Sequence, residues 1–161
     1  MIRWTAVGVV MAAFCANALA AQPPADVGQD KSDPAALEKT IADAPGPVNC
    51  YSNTTGDRLT ACEQREKGLS AFKKLYEIDK ARAVAALKKR FDEIPSPKGG
   101  YFPILAAVQV KDASFVPMLK KVAGAQKEND LGLFAAEAAK VIETGKCSKI
   151  PPPNKLREIC E

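Results

Sequence analysis

The chain has 161 residues, 23 Lys and Arg against 19 Asp and Glu for a formal charge of +4, and no histidine. That length bounds it to one domain. The missing histidine excludes Ser–His and Cys–His nucleophile pairs and the common histidine metal sites.

The chain opens with the pattern of an export signal over residues 1–20. Met1-Ile2-Arg3 supplies a short positive region, Trp4 to Phe14 an apolar run, and Ala18-Leu19-Ala20 a small-x-small cleavage site. The apolar run is shorter than the ~20 residues a spanning helix needs, which favours a cleaved signal over an anchor. Phe14, directly before Cys15, is too bulky for a typical lipidation site. Cleavage after Ala20 removes Arg3 and the only Trp, lowering the charge to +3, and leaves Cys50, Cys62, Cys147 and Cys160. An even count in an exported chain predicts two disulfides and an oxidising compartment, the periplasm or the outside. Four cysteines allow three connectivities. One of them, Cys50–Cys62 with Cys147–Cys160, would clip both ends of the domain, each loop contributing about 3 kcal/mol.

Residues 21–47 are rich in Ala, Pro, Asp and Gln and hold little apolar surface. They read as a disordered tether in which 35–44 forms at most a transient helix. Residues 48–161 then form a helical domain. Asn53-Thr54-Thr55 matches a glycosylation acceptor, an accidental match in a bacterial chain. The first helix starts at Thr60, which has capping-box spacing to Glu63, or a turn earlier at Asp57, and its stripe is Leu69, Phe72 and Tyr76 with Leu75 beside it. Asp79 caps the next helix, with stripe Val84, Leu87 and Phe91, which must stop before the loop Pro95–Gly100.

Tyr101 to Val110 is ambiguous. Pro103 suits a first helical turn, whereas Val108-Gln109-Val110 alternates like a strand; a lone strand would have no partner, so helix is favoured. Asp112 caps a helix carrying Phe115, Met118, Leu119 and Val122, broken from Gly124. Asn129 or Asp130 starts the last long helix, with stripe Leu131, Phe134, Ala138, Val141 and Ile142 and Gly145 as a left-handed terminator. Beyond Cys147, Pro151-Pro152-Pro153 favours a stiff run, followed by a short helical piece from Asn154 to Cys160.

DASFVPMLKKVAG followed by DLGLFAAEAAKVIETG resembles a HEAT-type repeat, with Pro117 ahead of Leu119 in the first helix and an alanine-rich second helix ending at Ile142. Where such units usually carry an arginine early in the second helix, Leu133 and Phe134 stand here. The resemblance implies an all-α fold, a short HEAT-like α-solenoid or helical bundle with two terminal disulfides, offering a surface to a partner. Internal similarity at a shift of 32 residues agrees in phase: Ala81, Val84, Leu87, Lys88 and Lys89 fall on Ala113, Val116, Leu119, Lys120 and Lys121. Separately, the Cys50…Cys62 spacing ahead of a helix with Leu75-Tyr76 is similar to LprI-type lysozyme-inhibitor domains. Those usually carry an aspartate and an asparagine in that helix, near the places of Phe72 and Lys73.

For chemistry, the cysteines suit disulfides better than catalysis, and Glu137 and Glu143 face different directions on one helix. No cofactor or metal is implied. The lysine pairs are the suggestive charges: Lys88-Lys89-Arg90 and Lys120-Lys121, with Lys73-Lys74, recur once per helix and would form a basic ridge if the helices stacked in register. Ordinary solubilising surface is the plain alternative. Tyr101, beside the Pro/Gly loop, is the aromatic chosen for partner contact. The expectation is an exported, non-catalytic protein-binding module, such as an inhibitor or immunity protein against an envelope-directed toxin or cell-wall hydrolase. Its partner is another protein, acidic in character; membrane-surface contact is weak and nucleic acid is not a partner. The alternatives are a carboxylate-dependent peptidoglycan-active enzyme and an envelope structural or lipid-surface protein.

Overall fold

In the computed structural model, which describes residues 33–46, 50, 55–94 and 100–147, the regular structure of those residues is entirely helical. Helix α1 (Pro34–Asp43) starts on Asp33, whose carboxylate accepts the Ala35 N–H at 3.0 Å. Pro34 occupies a first-turn position that needs no donor. Residues 33–46 are therefore not part of a disordered tether, as the composition of 21–47 suggested. Their apolar content is small but falls on one face: Ile41 and Ala44 are buried and Leu37 packs beside them. The expected signal (1–20) and the remainder of the tether (21–32) lie outside the described residues.

Helix α2 (Asp57–Ile78) takes the earlier of its two possible starts. Gly56 precedes it at φ 61°, a conformation that glycine adopts without penalty. The buried face runs through Cys62, Arg65, Gly68, Phe72 and Leu75, so the expected stripe residues Leu69 and Tyr76 sit at its margins. Gly68 explains the shift. A Cβ there would lie 2.5 Å from Ala44 Cβ and 2.9 Å from the Phe102 ring, so its absence lets the end of α1 and the helix carrying Phe102 rest on α2. The Cys50–Cys62 disulfide joins residues 12 apart in sequence at the start of α2, a loop size that contributes about 3 kcal/mol. Cys147 is also disulfide-bonded; Cys160, and with it the Cys147–Cys160 pairing, lies outside the described residues.

Helix α3 (Lys80–Asp92) is capped by Asp79, which accepts the Arg82 N–H at 3.0 Å, and buries Ala83, Leu87 and Phe91. Helix α4 (Phe102–Val110) has Pro103 in its first turn and ends at Lys111, a left-handed residue at φ 51°. Every residue from Phe102 to Val108 is buried. A helix apolar all round belongs inside, and α4 accordingly packs against α2, α3 and α6 (Asp130–Thr144). Before α6, a 3-10 turn (Ala113–Phe115) capped by Asp112 leads into α5 (Val116–Ala125), which runs one residue past Gly124. Asn129 caps α6 by accepting the Leu131 and Gly132 N–H groups at 3.1 Å each, and Gly145 ends it at φ 69°.

α5 and α6 form one hairpin, α1 lies on α2 and α3, and α4 runs between α2 and α6. Phe115 ties the two halves together, edge-on to Phe72 at 6.2 Å and stacked with Phe91 at 6.4 Å between centroids.

Candidate binding surface

Successive helical residues point about 100° apart, so a run of basic residues cannot all face one way. In α3, Lys88 and Lys89 are exposed while Arg90 is only 5 % exposed. Arg90 is thus removed from the surface group expected from sequence. Its guanidinium donates to the carbonyls of Ala42 (3.2 Å) and Ala44 (2.6 Å), and to the Glu93 carboxylate (2.6 Å). It also lies 5.5 Å from the Phe102 ring centroid, at cation–π distance. A signal for this existed in the chain. At the 32-residue shift Arg90 falls on Val122, which is buried, just as Leu87 and Leu119 are both buried.

The lysines of α5 also diverge. Lys120 turns toward α6 and bonds Glu143 at 2.6 Å, whereas Lys121 lies in a groove against α3. Of the expected ridge, Arg90 is thus buried and Lys120 paired, while Lys89 borders one groove and Lys121 another. Tyr101 is half-buried: its ring meets Phe134 edge-on at 5.0 Å while its N–H donates to Gly46 C=O at 3.1 Å. That ring is thus anchored on the core, with part of the residue left at the surface.

The described surface includes three grooves. The first, about 140 Å³ between α3 and α5, has Phe91, Ile94, Met118 and Val122 as its apolar lining. The second, about 360 Å³, runs between α1 and α3 over small residues such as Ala42 and Ala86, with Lys89, Glu38 and Glu93 beside it. The third, about 500 Å³, lies between α2 and α4 next to Cys50 and includes Arg65 and Glu66. In the second, Glu38 is held by Arg82 through two bonds of 2.8 and 2.9 Å, and that guanidinium lowers its pKa. Glu93 is held by Arg90 at 2.6 Å, and in the third groove Glu66 by Arg65 at 3.0 Å.

The most strongly perturbed charge lies elsewhere. Asp112 uses one carboxylate oxygen to cap Ser114 N–H at 2.8 Å, while the other accepts from Tyr76 Oη at 2.5 Å and Lys80 Nζ at 2.9 Å. Its cap role was legible in the sequence; its second oxygen, joining α2 and α3 to the turn before α5, was not. Lys80 first, then Tyr76 and the Ser114 amide, hold the Asp112 carboxyl well below its ordinary 3.8. Burial, then Asp112, pushes Tyr76 up, and the bond to Asp112 raises Lys80. A carboxyl depressed in the folded state stabilises above its unfolded pKa, and that contribution fades as pH falls toward the folded value. Thermal unfolding followed from pH 7 down to 2 should therefore show stability falling below about pH 4. Asp112→Asn is expected to cost about 1–2 kcal/mol at pH 7 and to flatten that acid limb. An unchanged acid limb would assign it to other carboxylates.

Among the described residues no three Cys, Asp or Glu side chains converge as metal ligands, and no helix is long and apolar enough to cross a membrane. Compared with family models, curated proteins and solved structures, the chain matches none.

Proposed function

We propose that this chain is an exported, non-catalytic protein-binding module. In this reading it is a short HEAT-like stack of three hairpins, α1/α2, α3/α4 and α5/α6, in which α2, α4 and α6 lie side by side and the first helices carry the binding face. The order of packing and the matched burial of Leu87 with Leu119 support the stack. The Cys50–Cys62 bond suits an oxidising compartment, in keeping with the export signal read over residues 1–20.

One observation carries the non-catalytic part: in the two larger grooves each of Glu38, Glu93 and Glu66 is held by an arginine. A carboxylate so held has oxygens committed to the guanidinium instead of being free to meet a substrate. What remains for a partner is fixed charge and apolar slots. An inhibitor or immunity protein acting on an envelope-directed toxin or cell-wall hydrolase is the concrete form of this reading.

Reversible crosslinking of the oxidised protein in periplasmic extract, with mass spectrometry, should recover a protein partner above background. Muropeptide release measured in parallel should stay at the blank. Turnover lost on replacing a groove carboxylate would move the chain to the enzymes, and recovery of no partner would count against the reading.

A further inference from the structure

The cations of α3 and α5 sort into two groups. Lys80 pairs with Asp112, Arg82 with Glu38, Arg90 with Glu93 and Lys120 with Glu143, at 2.6 to 2.9 Å. Among the described residues, Lys88, Lys89 and Lys121 have no such carboxylate partner, and all three are exposed. Lys88 and Lys89 sit in the second half of α3, and Lys121 stands on α5 across a groove from the end of that helix. Lys121 lines the groove between α3 and α5, and Lys88 precedes its lining residues Phe91 and Asp92 by three and four positions, on the same side of the helix. Lys89 borders the neighbouring groove against α1.

The groove's own size limits what enters. Its roughly 140 Å³ is close to that of an apolar cavity known to take up one benzene ring. Phe91, Ile94, Met118 and Val122 supply an apolar lining, and Asp92 is the only acid among its described lining residues. A folded element is too large for it; one bulky side chain is not.

We propose that this groove seats a single large apolar side chain, Phe or Leu in kind, from a partner protein segment whose flanking residues are acidic. Lys88, one turn before the α3 wall, and Lys121 on the α5 wall meet carboxylates to either side of the anchor, and Asp92 keeps acidic residues at the flanks. The apolar contact supplies the larger share of affinity, and the lysines supply orientation and rate of encounter. This rests on the protein-binding reading above and names the chemistry of its partner.

The test uses the oxidised chain and three fluorescein-labelled peptides of twelve residues: one with a central Phe flanked by glutamates, one with that Phe replaced by Ala, and one with the glutamates replaced by lysines. The Glu/Phe peptide is expected to bind about 10-fold tighter than either control, with affinity falling as salt is raised. The double variant K88E/K121E, changed only at exposed positions, should reverse the preference between glutamate and lysine peptides. Met118→Gln should weaken only peptides that carry Phe. Equal or absent binding of all three peptides overturns the proposal. So does phosphatidylglycerol-vesicle binding that depends on Lys88 and Lys121 while the Glu/Phe peptide does not bind. If crosslinking recovers a partner whose yield is unchanged in K88E/K121E and in Met118→Gln, the groove is the wrong site and the protein-binding reading stands; if no partner is recovered, that reading itself fails.

Discussion

Arg90→Met is expected to destabilise the protein by about 3–5 kcal/mol, the range for removing one partner from a buried charged network. For a domain of this size that corresponds to a fall in Tm of roughly 10–20 °C. Methionine keeps much of the apolar stem but none of the donors. The carbonyls of Ala42 and Ala44, which Arg90 satisfies, would lose that donor, and Glu93 would lose its cation. The damage should be local before it is global, because these bonds fasten the end of α1 to α3. Hydrogen exchange should therefore show the amides near Ile41 and Ala44 losing protection first. Arg90→Lys should fall between, since one ammonium cannot reproduce a planar fork reaching three acceptors. Lys89→Ala, next door and exposed, should stay within about 0.5 kcal/mol of the parent. An Arg90→Met protein that melts with the parent would return Arg90 to the surface group suggested by the Lys88-Lys89-Arg90 run.

The second large effect comes from a residue with no side chain. A Cβ on Gly132 would overlap the carbonyl of Gln126 and stand 2.9 Å from the Lys127 nitrogen. Both obstacles are backbone, so neither can rotate away. Gly132 sits in the first turn of α6, where its N–H bonds the Asn129 side chain and the chain from α5 doubles back over it. Gly132→Ala should thus cost about 2 kcal/mol, the overpacking penalty exceeding the ~1 kcal/mol that alanine gains in a helix. Gly124→Ala is the control. A Cβ at Gly124, inside α5, would meet nothing within 4 Å, so the same substitution should stabilise by about 0.5–1 kcal/mol. Opposite signs in two chemical melts would establish that the turn, and not helix propensity, sets the requirement for glycine at residue 132.

Capping chemistry carried most of what sequence could reveal about the fold. Asp79, Asp112, Asn129 and Gly145 each stand at or beside a helix boundary because their side chains, or in glycine's case its backbone freedom, act locally on neighbours in sequence. Periodicity failed where burial is not one-sided. In α4 the whole run from Phe102 to Val108 is buried, so no one-sided stripe exists to be counted, and only Pro103 and the absence of a strand partner argued for helix. Residues 33–46 were misjudged for a different reason. Composition averages over a window, whereas α1 is held by a few specific contacts made with residues far along the chain: Glu38 with Arg82, and Ala42 and Ala44 with Arg90. The candidate surface was legible only by residue type. Lysine pairs can be seen in a sequence, but whether Lys120 finds Glu143 while Lys121 finds no carboxylate among the described residues depends on how α5 rolls against α6.

The fastening of α1 has a consequence for the order of assembly. Arg90 reaches back 48 and 46 residues to Ala42 and Ala44, and Phe102, against which Ala44 and Gly68 lie, comes later still. A chain made from its N-terminus presents α1 before its whole seat exists: α2 follows soon after, whereas Arg90 and Phe102 come much later. Until Arg90 and Phe102 arrive, α1 has only α2 to lie on, and a helix as short as α1 holds little structure alone. Of the described helices α1 is thus the first made, yet it receives its last fasteners only when α3 and α4 follow, and until then α2 alone holds it.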